Sequence, residues 1–339
     1  MRKKDITNHI TWLQGYHPDQ TLPNYRKGTK DNNVTAGYHP GFRILKKRDT
    51  FMIALGLLLF VGGLGILAQQ MVSTVQLQKL DADLRNIYYA AASREIEESI
   101  NVTVAAKPQP TGKPKQSADL QSRTFVTPMP MLTYATRERF LPLLQINSDV
   151  VGWLTIQDVL DLPVVQRDNT FYLTHSFQGK ESHAGTLFLD QDFSILPPHE
   201  NLLIHGHNMR DGSMFGPLLK YRQKSFYIKH WLVQFETLHE DGFYAIFAAF
   251  DMVNDISSSA FFQYNYSKFD TDDQFEDYVT GIRRRSLFQC KLSVLPTDKL
   301  LTMSTCADGS DHYLVIVARE IRDGENMANL TTTCLLATF

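Results

Sequence analysis

The stretch LLTMSTCADGSDHYLVIVAREI (residues 300–321) decides how the chain is read. An apolar run enters Cys306, a short polar turn follows, and a second apolar run leaves, so the cysteine stands at a strand end with polar neighbours on both sides. A structural cysteine more often lies inside an apolar run, where free cysteine behaves as a small buried hydrophobe. A thiol at a loop mouth is instead placed for nucleophilic work, provided a base or cation serves it. Ser304, two residues earlier in the same run, is a candidate helper beside it. Cys290 closes a helix and Cys334 lies in a Thr-rich tail, and neither has that setting. Three cysteines are too few for a disulfide framework or a zinc site, although one pair remains open.

Outward from this hairpin, short β-rich runs are separated by Gly, Pro, Asn and Asp: VVGWLTI (150–156), LPVVQ (162–166), TFYLTH (170–175), GTLFLD (185–190), ENLLIHG (200–206), WLVQFETL (231–238), GFYAIFAAFDM (242–252), KLSVL (291–295), LLTMST (300–305) and HYLVIVARE (312–320). Their spacing predicts a mainly β barrel or sandwich over 131–325, followed by a tail at 326–339. A helix interrupts it at about 272–289, where Phe275, Tyr278, Val279 and Ile282 form one core-facing stripe. Phe140, Leu143, Leu144 and Ile146 predict a further amphipathic helix at the start of the domain.

The base is expected in NLLIHGHNMRDGSMFGPLLKY (201–221), where His207 follows a glycine at a strand end. His205 and His207 alternate and could form half of a metal pair, but no third ligand stands near them, and no metal or other cofactor is expected.

Before the domain, FMIALGLLLFVGGLGILA (51–68) has no polar side chain, and as a helix it reaches about 27 Å, close to the thickness of a bilayer core. Lys46, Lys47 and Arg48 precede it, whereas Lys79 and Arg85 are the basic residues of the stretch that follows. This asymmetry predicts a cytoplasmic N-terminus and an external domain at the cell membrane. Residues 1–50 read as a polar cytoplasmic tail containing GYHP twice. In 69–130, Leu77, Leu80, Leu84 and Ile87 form one helical stripe, which fits a continued membrane helix, a self-association seam or a helix lying on the domain. KPQPTGKPKQS (107–117) reads as an extended spacer. Hydrophobic content of 43% and charged content of 21% are ordinary for a globular protein, and a net charge of −2 argues against nucleic acid as a partner.

GHNMRDGSMFGPLLKY (206–221) followed by LTMSTC (301–306) resembles the class B sortases. INSDVVGWLTI, LPVVQRDNTFYL, GTLFLDQDF and the helix before KLSVLP are similar to that family in the same order, over residues 133–319. The resemblance implies an eight-stranded sortase β-barrel with added helices, behind a single N-terminal transmembrane helix. It implies Cys306 as nucleophile and His207 as proton donor and acceptor. The implied reaction is transpeptidation: cleavage of an LPxTG- or NPQTN-like sorting signal on a secreted protein through a thioester, then transfer to an amine of a cell-wall precursor or a pilin lysine. Sortases also carry an arginine early on the strand after the cysteine. Residues 307–318 contain none, and Tyr313 falls in its place. His312 would take it if the register slipped by one, with a reversal of faces. Asp308 in the turn is a candidate for orienting substrate or a cationic histidine. Arg319 lies about 20 Å further along the strand and cannot substitute. The missing arginine motivates an alternative in which the chain is a degenerate, non-catalytic sortase that binds without turnover. A plain cysteine hydrolase is a third reading.

Overall fold

The computed structural model describes residues 47–105, 134–306 and 311–339, with backbone alone at 47–50, 98–105 and 306. The polar tail with both GYHP copies, the spacer at 107–117 and Asp308 lie outside the described residues.

Eight strands close into a barrel: β1 (Val150–Ile156), β2 (Leu160–Val165), β3 (Leu187–Leu189), β4 (Asn201–His205), β5 (Leu232–Thr237), β6 (Asp241–Val253), β7 (Leu300–Cys306) and β8 (His312–Glu320). The order around the ring is β1-β2-β3-β4-β7-β8-β6-β5. Closure leaves no edge strand. β2–β3 and β4–β7 are parallel, and every other neighbouring pair is antiparallel. β6 is buried continuously from Tyr244 to Phe250, because helices cover its outer face while its inner face fills the barrel.

Two of the ten β-rich runs are not strands. In TFYLTH the Asp168 carboxylate accepts from the backbone N–H of Thr170 (2.9 Å) and of Phe171 (2.7 Å). That cap winds Phe171–Leu173 into a 3₁₀ turn. KLSVL has no regular structure, and the Arg283 guanidinium donates to the carbonyls of Cys290 (2.6 Å) and Leu292 in place of a neighbouring strand.

Among the described residues five α-helices complete the fold: α1 (Lys47–Ala105), α2 (Leu141–Ile146), α3 (Lys224–Tyr227), α4 (Asp272–Arg285) and α5 (Met327–Leu335). α4 starts on Thr271, whose side chain accepts from Gln274 N–H, and carries Asp272 and Asp273 in its first turn and Arg283 to Arg285 in its last. Both charge biases suit the helix dipole. Its buried residues are Phe275, Tyr278, Val279 and Ile282, the stripe read from the sequence. The expected C-terminal tail includes α5, which buries Leu330 and Cys334.

Among the described residues one helix is long and apolar enough to cross a membrane: an apolar window in α1, from Phe51 on, has a mean hydropathy of 2.5. Further along α1, Leu77, Leu80, Leu84 and Ile87 pack on the barrel, so the stripe both continues the apolar helix and lies on the domain. Tyr88 stacks flat on Trp153 with ring centroids 4.3 Å apart. Asp161 joins the two elements by accepting from Trp153 Nε1 (2.6 Å) and Tyr89 OH (3.0 Å) and pairing with Arg85 (2.8 Å).

Candidate active site

Strand register brings the two principal candidates to one rim. β4 and β7 are parallel neighbours, paired from Asn201↔Leu300 to His205↔Ser304. Parallel strands run the same way, so both C-terminal ends open on the same end of the barrel. His207 and Cys306 each follow the last pair by two residues. Gly206 N–H donates to Ser304 O (3.3 Å) and carries the ladder one step past β4. A side chain at Gly206 would run into Leu187 and the Phe215 ring, so this tight exit requires glycine.

His207 is half-buried, and its Nε2 lies 2.7 Å from Leu173 O. A carbonyl only accepts, so Nε2 is the donor in this contact. Leu173 belongs to the 3₁₀ turn that replaces the expected strand, which makes that turn part of the site. Gly185, at φ +63°, packs against the backbone of this turn, where an added Cβ would meet Tyr172 O and Leu173 O.

His205 takes a different partner. Its Nε2 lies 2.9 Å from Asp190 Oδ2, and its ring packs beside Phe188. Burial pushes the Asp190 carboxyl up, but hydrogen bonds from His205 and from the Asp192 N–H outweigh it and hold the group below the ordinary carboxylate range. The two histidines are thus committed separately, and no group of three His, Cys, Asp or Glu side chains gathers for a metal among the described residues.

Ser304 is buried, and its Oγ is hydrogen-bonded to Tyr264 OH at 2.8 Å. Tyr264 lies in the segment before α4, which is held across β4 and β7 by Asn201 Nδ2 donating to Tyr266 O (2.8 Å) and by Thr302 Oγ1 donating to Asn201 Oδ1 (2.9 Å). Tyr313 pairs with Cys306 across the β7–β8 ladder, while His312 pairs with Val253 of β6 and is exposed. Arg319 sits at the far end of β8 opposite Leu300, fully buried, in an ion pair with Glu325. Another arginine does reach the site end of the sheet: Arg222 Nη2 donates to Asp251 (2.7 Å). Asp251 is paired with Leu314 and so points away from the face shared by Met252 and Tyr313.

Leu173, Asp190 and Tyr264 are site neighbours that motif reading passed over. The Asp168-Asn169 pair was the available signal for the first, since such residues favour a turn over a strand.

No family model matches the chain. Over 178 residues it is 34% identical to a sortase B of Listeria monocytogenes, covering 52% of this chain and 70% of that protein. Over 191 residues it is 27% identical to a sortase B of Staphylococcus aureus, covering 55% and 76%. The crystal structure of sortase B from Bacillus anthracis in complex with AAEK2 superposes with a TM-score of 0.56 at 26% identity, over 73% of this chain and 97% of that one.

Proposed function

The chain belongs to the sortase B family, and from that premise we propose that it is a membrane-anchored cysteine transpeptidase with Cys306 as nucleophile and His207 as proton carrier. The Cys306 thiol first passes its proton to His207 Nδ1, and the resulting thiolate attacks the carbonyl carbon of the Thr–X bond in an LPxTG- or NPQTN-like sorting signal. The C–N bond breaks, and the leaving amine takes a proton from His207 Nδ1, leaving an acyl thioester. An amine from a cell-wall cross-bridge or a pilin lysine then attacks the thioester. His207 Nδ1 recovers a proton, the thiolate departs, and a new amide remains. The basic cluster at 46–48 orients the anchor, with the N-terminus cytoplasmic and the barrel outside.

The observation that carries this reading is the parallel β4–β7 register, which sends the residues after His205 and Ser304 to one rim. The bond from Nε2 to Leu173 O supports Nδ1 as the working nitrogen. Tyr313 is the helper proposed for the oxyanion, through its hydroxyl, with Asp308 and His312 as outer substrate contacts.

One observation favours a second reading. Tyr313, across from Cys306, offers a hydrogen bond but no positive charge, which suits a binding module that holds sorting signals without turnover. Intact mass spectrometry separates the two. The detergent-solubilised chain is incubated with LPxTG- and NPQTN-type peptides, beside a Cys306→Ala control. A mass increase matching the acyl fragment, absent from the control and discharged by added amine, is expected. Peptide binding without any adduct would retire the enzyme in favour of the binding module, and discharge by water alone would make it a hydrolase.

A further inference from the structure

Beyond the active-site rim, the described residues contain a second pair of thiols, Cys290 and Cys334, both free and both buried. They come from distant parts of the domain, one just after α4 and the other near the end of α5. The two thiols influence each other electrostatically, as does Tyr227, whose hydroxyl donates to Ile246 O at 2.9 Å. The main chains around them are already fixed in apposition. Gln289 N–H donates to Thr338 O (2.8 Å) and Thr338 N–H donates to Gln289 O (3.1 Å), an antiparallel bridge next to one cysteine and shortly after the other. Phe288 stacks on Phe339 with centroids 4.9 Å apart and lies tilted against Tyr227 at 4.2 Å, packing α5's C-terminal side to the stretch before Cys290.

We infer that Cys290 and Cys334 are a disulfide site, whose bond clamps α5 to the barrel and encloses β7 and β8 in one covalent loop. The Gln289–Thr338 bridge and the mutual influence of the two thiols bring together the stretches that carry them, as a disulfide requires. The neighbouring Cys334 holds the Cys290 thiol below the ordinary cysteine range, which suits Cys290 to be the attacking group. The step balances with an external disulfide as oxidant. Cys290 thiolate attacks it and releases one thiol. Cys334 then attacks the mixed disulfide, loses its proton and releases the second thiol. Two protons and two electrons thus leave the cysteines. Because both sulfurs are buried in the finished fold, the bond forms as α5 docks. The enclosed loop is roughly 45 residues and contains Cys306, so the clamp holds the strand pair that carries the nucleophile. An oxidising surrounding rests on the external placement of the barrel proposed above.

The test uses the full chain in detergent with Cys306→Ala, which leaves Cys290 and Cys334 as its cysteines. Protein isolated without reductant is denatured in N-ethylmaleimide, and its mass and digest are measured. The expected result is no labelled thiol, a mass about 2 Da below the reduced chain, and a peptide pair joining Cys290 to Cys334. Reduction is expected to lower Tm by about 10 °C, with no such effect in a Cys290→Ser/Cys334→Ser chain. A bond that forms only after oxidised glutathione is added sustains the site and counts against the external placement. Two labelled thiols with and without oxidised glutathione, or a disulfide between two chains, would overturn the inference.

Discussion

Tyr313 and Cys306 are register partners, the last pair of the β7–β8 ladder at the rim where β4 also ends. Directly opposed residues in an antiparallel ladder share a face of the sheet. The residue in the arginine's place is therefore positioned by main-chain hydrogen bonds, and the question at this site is chemical.

Removing the Tyr313 hydroxyl should therefore slow acylation. Tyr313→Phe is expected to lower the rate of adduct formation by about 10²-fold, the usual cost of one oxyanion donor. Tyr313→Arg is expected to raise it above the natural chain. An unchanged rate in the Phe variant would remove this hydroxyl from the mechanism and move attention to His312.

Gly185→Ala tests how His207 is held. The new Cβ would push on the carbonyl that accepts from His207 Nε2, at a backbone φ that already disfavours a side chain. kcat is expected to fall by about 10²-fold through misplacement of the ring, with the near-ultraviolet circular dichroism of the fold retained. Full activity would show that the turn does not orient His207.

Arg319 should matter for stability alone. Substitution by Met leaves Glu325 without its buried guanidinium, while Asp298 keeps Arg322, and is expected to cost about 3 kcal/mol in denaturant unfolding. The acylation rate per folded molecule should be unchanged, since Arg319 lies opposite Leu300 at the other end of β8. A lower rate at full stability would refute this assignment.

Asp190 predicts an acid limit. Its folded pKa is depressed, so its pairing contributes stability above the ordinary aspartate value near 4, and that contribution is lost as the pH falls through the folded pKa. Asp190→Asn should have a lower Tm than the natural chain at pH 6, and the gap should close below about pH 4. A gap that persisted unchanged to pH 3 would mean that the carboxylate charge is not what stabilises this corner.

The barrel was legible because period-2 apolar runs, punctuated by turn residues, describe strands whatever the neighbours are. Eight of the ten runs are strands. The other two lost out to single side chains, Asp168 capping a turn and Arg283 occupying two carbonyls, and run composition carries neither effect. The α4 stripe was legible for the same local reason. Register was not: pairing Cys306 with Tyr313 depends on where a ladder of many bonds settles. Tyr264 was hidden too, because a hydroxyl reaching Ser304 from forty residues away leaves no mark in local pattern. The alternatives left open for the Leu77–Ile87 stripe narrowed once Tyr88 was seen stacked on Trp153, a contact between residues far apart in sequence.

Parallel neighbours cannot be joined by a tight turn, so the chain between β4 and β7 must travel through β5, β6 and α4 before it returns beside its starting point. The two halves of the proposed site are consequently made at different times during synthesis and meet only when the ring shuts. A partly made chain carries His207 without its proposed counterpart, and a chain that fails to close keeps the two residues apart. Ring closure is in this sense the step that would arm the proposed chemistry, and every contact that favours closure would then act on reactivity as well as on stability.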